Sequence, residues 1–578
     1  MSVLGKFDPL EGQPEIEPGK RLIKVGDGRG VSLAERFAYR LHRLAWRTPV
    51  HSLRLRGRFP LKLLAVPKDP IAGDKAIGEA MLLGSLVHGN ESQPIERLQF
   101  ADPRFSPEYC DYLQSFAWLR DLAAAAPREK GDKIAEKLVR KWLAAHAEQL
   151  CERAWRADIW ARRILFIAAY APYVLASKDL VYRSSVLNTL ARGARHLDKS
   201  ADKAPQGLPR ITGWAGVIGA ALVIQGGPAR LNRGEAGLLR TLNVNLHDDG
   251  GLVSRSPIEQ LKLVELLGQL RAVYYAARRD LPDELAEALA STVAALLAVT
   301  LSDEALSSWQ GGNLLSKRRV TAAVEGAGVT TRPLRQARGW GYQRLSARSS
   351  VAVFDCAPPP ASRALSGGCA STLAFEFSDG AHRLIVNCGG AGEGSALPAE
   401  LALGLRTTAA HSTLTLGDRN STAVHEDGTL GKGVGQVELS RDETGGTTKV
   451  EASHDGYVRR FGFLHQRTLV LKSDGTELEG EDSLVPQGRR RRAGTAYAVR
   501  FHLHPSVEVT STADGQGAIL RIRGGSAWRF RCRGGRLAIE DSLWVDGSGR
   551  PQGSQQLVVA GETPAEGVTI TWALKRAG

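Results

Sequence analysis

Apolar residues recur three and four positions apart in one segment after another of the N-terminal half: Ala34–Trp46, Lys133–Ala147, Ile159–Leu175, Glu259–Ala277 and Leu285–Val299. That spacing lays an apolar stripe along one face of an α-helix, and Pro or Gly separates several of the segments. Helices of ordinary length joined by short turns predict an all-α array, in which successive hairpins build a toroid or solenoid. No strict repeat marks a regular solenoid. The regime changes near residue 305, and after about residue 340 the apolar positions alternate in short β-branched runs. Val351–Asp355, Thr372–Phe377, Arg383–Val386, Ser412–Leu416, Thr447–Glu451, His465–Leu471, Tyr497–Leu503 and Gln556–Val559 read as strands, with Asp-Gly turns at 379–380, 427–428, 455–456, 474–475 and 514–515. Many short strands with such turns predict an antiparallel β-sandwich. The chain divides into an N-terminal extension over 1–30, a helical domain over 31–305, a connection over 306–340 and a β domain over 341–578.

Composition adds a solubility class and a charge. A length of 578 residues exceeds one ordinary domain, and 43% hydrophobic with 24% charged residues is a globular composition. The first twenty residues carry acids and no apolar run, so no secretory signal is read there. The apolar stretch Ala215–Ile224 is far short of a bilayer span. The six cysteines show no C-x-x-C spacing and do not read as a disulfide framework or a zinc finger. These features together predict a reduced, cytoplasmic protein without a membrane span. The net charge of +15 suits a polyanionic partner, whether acidic polysaccharide, nucleic acid or anionic lipid, or else a solvated basic surface. No helix-turn-helix, zinc-finger or aromatic RNA-binding signature accompanies it, which leaves nucleic acid with charge alone.

The β half carries a series of strings: Gly341-Tyr342-Gln343-Arg344-Leu345, then VAVFDCAPPP, CASTLAFEFSDG, RLIVNCGG, LRTTAAHSTL and SHDGYVRRFGFLHQRTL. This series, with GLVSRSPIEQLKLVELL at 251–267 in the helical half, resembles the heparinase II/III-like family of polysaccharide lyases. The resemblance implies an incomplete α/α toroid followed by an antiparallel β-sandwich. It also implies cleavage of a uronate-containing poly- or oligosaccharide by β-elimination. That reaction neutralises a carboxylate, removes the weakly acidic proton beside it and protonates the leaving glycosidic oxygen. A non-catalytic protein that binds acidic polysaccharide on the same scaffold is the alternative.

Carried over position by position, the family's metal set falls on Cys369, Asn387 and His411. Cysteine with histidine suits zinc, whereas an amide is a poor third ligand; the other reading is a hydrogen-bonded His411 beside a small buried Cys369. The family's catalytic tyrosine falls on Glu259, which is either a base or an acid at a helix N-terminus. The family's Asn-His pair falls around Ile211–Trp214, where neither residue stands. His247, in NLHDDGG, suits proton transfer. Tyr342 is read either as the donor to the leaving oxygen or as a strand aromatic. Arg255 and Arg344 are expected to hold carboxylates, Trp155 to stack on a sugar unless it is core, and His454, Tyr457 and His465 to add substrate contacts if they converge.

Overall fold

A computed structural model describes residues 62–577 apart from 225–226, 362–366, 392–396 and 488–491, with most of 16–25 and isolated positions between 37 and 59. The predicted helix Ala34–Trp46 lies outside these residues except for Phe37 and Leu41.

The helical half runs from Lys75–Leu82 through Arg128–His146, Ala157–Ala169, Leu180–Ser200, Leu208–Val223, Gly227–Asn245 and Pro257–Ala276 to Asp283–Ala298. Proline stands in the first turn of Leu208–Val223 and Pro257–Ala276, where the missing N–H has no intrahelical partner to lose. Leu208–Val223 is buried almost all round, and glycines let its neighbours approach: a Cβ on Gly216 would stand 2.3 Å from that of Ala161. The predicted segment Ile159–Leu175 breaks at Tyr170, because Pro172 starts a separate turn, Ala171–Val174. Within the connection, Lys317–Ala327 forms a helix against Pro257–Ala276, where Arg319 meets Glu265 at 2.5 Å.

The β half folds into two large antiparallel sheets. One has nine strands in the order Lys20–Lys24, Gln436–Thr444, Thr447–His454, Phe463–Leu471, Glu477–Pro486, Val568–Arg576, Trp528–Arg533, Gly517–Ile522 and Val507–Ser511. The other runs Arg536–Val545, Pro551–Thr563, Thr495–Leu503, His382–Val386, Phe375–Asp379, Ser350–Asp355 and Tyr342–Ala347, with Leu414–Leu416 beside Thr495–Leu503. Strands such as Phe463–Leu471 alternate buried and half-buried positions, the period-two pattern of a sheet with one face on the core. The strand predicted at Thr372 starts at Phe375, because Leu373 takes a left-handed conformation (φ 62°) in a turn closed by the Ala374 N–H on the Ser371 carbonyl. The sheet edge is extended from an unexpected direction. Lys20–Lys24, within the segment read as an extension, pairs with Gln436–Ser440.

Candidate functional site

The loop after the Gly227–Asn245 helix brings the helical half onto the sandwich. His247 closes a turn with Gly250, whose N–H donates to the His247 carbonyl at 2.9 Å. Gln260 fixes the far side of this loop by accepting from the Leu252 N–H and donating to the Gly250 and Thr292 carbonyls, each at 2.9 Å. Gly251 must be glycine, since a Cβ there would come within 2.1 Å of Trp340. Asp249 accepts from the Gly339 and Trp340 N–H groups at 2.8 and 2.9 Å, pinning the loop to the start of the β half. Ser256 then caps the next helix, its side chain accepting from the Glu259 N–H, and the Ser-Pro-Ile-Glu spacing is that of a capping box. Glu259 is half-buried in the first turn, where the helix dipole favours its anion.

His247, Arg255 and Glu259 line one cavity of about 250 Å³ together with Gln206 and Asn245. Its other walls are Ala357–Ala361 from the sandwich and Ile23–Val25 from the N-terminal strand.

Arg255 is buried and stretched across the junction. Its guanidinium donates to the Trp340 carbonyl (2.8 Å), the Pro358 carbonyl (2.9 Å) and the Asp355 carboxylate (2.6 Å), and lies 4.6 Å from the Tyr342 ring centre. Burial opposes its charge, but the Asp355 carboxylate outweighs burial and the arginine is held above its ordinary pKa. Asp355 also accepts from Ser371 Oγ at 2.7 Å, and the Gln310 amide donates to Ser371 at 3.0 Å. Tyr342 lies beneath this bridge, fully buried, its hydroxyl donating to the Arg255 carbonyl at 2.9 Å and its rings packed on Trp309 and Trp340. Burial holds its phenol far above the usual range. Tyr342 therefore serves as a packed strand aromatic, and Arg255 is committed to Asp355.

The other expected residues sit elsewhere. Arg344 is buried with its guanidinium on the Thr300 carbonyl, just past the Asp283–Ala298 helix, where a cation complements the helix C-terminus. Burial lowers its pKa to about 10. Trp155 is fully buried, donates to the His146 carbonyl at 3.0 Å and packs on Trp160, so it has no open face for a sugar.

His454, Tyr457 and His465 do converge, but inside the sandwich. The Gly456 N–H donates to His454 Nδ1 at 3.1 Å, so the proton of His454 sits on Nε2 and is directed at His465 Nδ1, 3.2 Å away. His465 then offers its Nε2 proton to Asp482 at 2.8 Å. Tyr457 donates to the Leu414 carbonyl at 2.9 Å. Burial holds both imidazoles below their ordinary pKa, with the Asp482 carboxylate opposing it at His465. Buried His502 is lowered to about 3, again by burial.

Unfolded histidines titrate near about 6.5, so between that value and their folded pKa values the unfolded state binds more protons. Stability is thus full above about 6.5 and is lost as pH falls. The urea midpoint is expected to drop steadily from about pH 7 to about pH 5, and His454→Gln to flatten that drop. A midpoint independent of pH over this window would contradict the assignment.

The expected metal set is also committed to the protein. Asn387 accepts from the Ser412 N–H at 3.0 Å and donates to Glu376 at 3.2 Å. The Cys369 thiol faces the Gly367 carbonyl at 3.5 Å, and burial pushes it up to about 11, away from the thiolate that zinc requires. His411 donates from Nδ1 to the Thr407 carbonyl at 2.7 Å, and burial lowers its pKa. Among the described residues no group of three or more His, Cys, Asp or Glu is placed to hold a metal ion, and this donor set does not fit one. The residues of the junction missed from sequence are Asp355, Ser371 and Gln310. Asp355 had a legible signal, an acid ending the apolar run VAVFD, which a buried strand tolerates only with a partner.

The chain is thus a helical toroid joined to a two-sheet antiparallel sandwich, with a cavity at the junction. Residues 329–573 match the family model described as heparinase II/III-like, C-terminal. The crystal structure of heparinase III superposes with a TM-score of 0.68 at 14% identity, over 94% of this chain and 89% of that one. Heparan sulfate lyase HepC from Pedobacter heparinus gives a TM-score of 0.58 at 14% identity, over 93% and 87%. At such identities these likenesses establish the fold. Over 554 residues the chain is 28% identical to FtsZ-localized protein C of Caulobacter vibrioides, covering 91% of this chain and 92% of that protein. Among the described residues no helix is long and apolar enough to cross a membrane.

Proposed function

We propose that the chain is a polysaccharide lyase-like enzyme. It takes a uronate unit of an acidic poly- or oligosaccharide into the junction cavity and cleaves the adjoining glycosidic bond by β-elimination. The observation that carries this reading is the meeting of Glu259 and His247 in one cavity walled by both halves. Glu259, whose anion the helix dipole favours, takes the C5 proton. The C5–H electrons form the C4–C5 double bond, and the C4–O bond breaks. His247 delivers a proton to the departing oxygen. The roles differ from those implied by the resemblance: Tyr342 and His411 are held by the protein's own hydrogen bonds and act as framework.

Ultraviolet absorbance of the unsaturated uronate reads the reaction on alginate, glucuronan and heparan. Glu259→Gln is expected to lower turnover by at least about a hundredfold while leaving the unfolding midpoint close to that of the unmutated protein. No absorbance change on the whole panel, with binding retained, would select a non-catalytic polysaccharide-binding protein instead.

A second reading follows the relative that matches along both halves, which is named for its localisation to FtsZ. This chain would then be positioned at FtsZ assemblies. A fluorescent fusion that stays diffuse while FtsZ forms rings removes that reading without touching the first.

A further inference from the structure

We infer that the N-terminal strand is part of the junction site, and that Lys24 is the cation that holds the carboxylate of the bound uronate. This rests on the cavity being the sugar site proposed above.

A strand that packs for stability buries alternate side chains. Lys20–Lys24 does not: Ile23 is half-buried and the other four positions are exposed. It is held instead by main-chain pairing with Gln436–Ser440 and by the Val25 N–H on the Gly435 carbonyl at 2.9 Å. Upstream, the Glu17 N–H donates to Gln336 Oε1 at 2.8 Å and the Glu17 carboxylate meets Arg338 at 3.1 Å. These contacts fix the strand in register beside the junction and so set Ile23, Lys24 and Val25 as a wall of the cavity. Elimination needs a cation or donors on the substrate carboxylate. Arg255, the other permanently charged cation of the wall, already donates to Asp355 and to the Trp340 and Pro358 carbonyls. Lys24 forms no ion pair among the described residues and is an exposed cation in the cavity wall. The extension is thereby a strand added to a sheet edge in order to deliver one charge.

The probes are the tetrasaccharide of β-1,4-linked glucuronate and cellotetraose, which is the same chain without carboxylates. Calorimetry on the full-length protein is expected to show a preference for the uronate chain. Lys24→Gln should reduce that preference about tenfold, the scale of one hydrogen bond to a charged group, and leave cellotetraose binding unchanged. Lys20→Gln removes a cation from the same strand, one paired with Glu438 at 2.5 Å outside the cavity, and should leave the preference intact. Equal loss in both variants would mean that general charge, not Lys24, draws the ligand, and overturns the inference. So does full preference in Lys24→Gln, while uronate binding by the unmutated protein still upholds the sugar site. Failure of the unmutated protein to bind either chain removes the sugar site and the inference together.

Discussion

Asp482→Ala is expected to destabilise the sandwich by about 3–5 kcal/mol, the scale for stripping one partner from a buried ion pair. Asp482 and Arg467 are both fully buried. Arg467 donates to the two carboxylate oxygens at 2.8 and 3.0 Å, and with its remaining nitrogen to the Leu373 and Ser412 carbonyls at 2.7 Å. Those carbonyls belong to the opposite layer, so this guanidinium spans the sandwich. Asp482 also accepts from Trp572 Nε1 at 3.0 Å and from His465. Removing it leaves a buried cation without a counter-ion and two further donors without acceptors. Burial alone would raise the carboxyl pKa, but Arg467 and His465 bring it down to about 2. A depressed folded pKa means that the contribution is present above the unfolded value of about 3.9 and is lost as pH falls toward about 2. Urea unfolding followed by tryptophan fluorescence measures the loss. The paired replacement Arg467→Met with Asp482→Leu should recover much of it, because two apolar groups need no partners. A loss below about 1 kcal/mol for Asp482→Ala would place the pair among weakly contributing ion pairs.

The same network marks the limit of reading a site from sequence. Alternation placed strands at Thr447–Glu451 and His465–Leu471, and strands formed there. Alternation also says that His465 and Arg467 share a face, but not whether that face meets water or a second sheet. Two basic side chains on one face suit a polyanion as well as they suit a buried aspartate seventeen and fifteen residues on. Trp155 failed as a sugar platform for a related reason, since an apolar stripe does not distinguish core from cleft. The N-terminal strand was illegible for the opposite reason. It is held through its backbone at a sheet edge, so its side chains carry no pattern. The resemblance pointed to the loop 247–259 and the GY-x-R strand, and the two meet where the Tyr342 hydroxyl donates to the Arg255 carbonyl. It could not assign chemistry there, because the residues that differ from the family have been built into the junction itself.

The Arg255 bridge offers the second large effect, and one that separates side chain from backbone. Arg255→Ala removes a buried guanidinium that joins the helical loop to Asp355, Trp340 and Pro358, and leaves the Asp355 carboxylate, fully buried, with only Ser371 and backbone donors. A cost of about 3–5 kcal/mol is expected. Sugar binding should weaken with it, since Arg255 and Ala357–Ala361 both line the cavity and the Arg255–Pro358 hydrogen bond holds that part of the wall together. The backbone supplies a control. Arg255 sits at φ 57°, a left-handed conformation that a side chain with a Cβ adopts only at a cost and glycine adopts freely. Arg255→Gly loses the same ion pair but relieves that strain, so it should be more stable than Arg255→Ala by about 1 kcal/mol. If the two variants unfold at the same urea concentration, the loop relaxes once the bridge is gone. The left-handed residue would then be a consequence of the ion pair, where the present geometry makes it a constraint that the junction enforces independently.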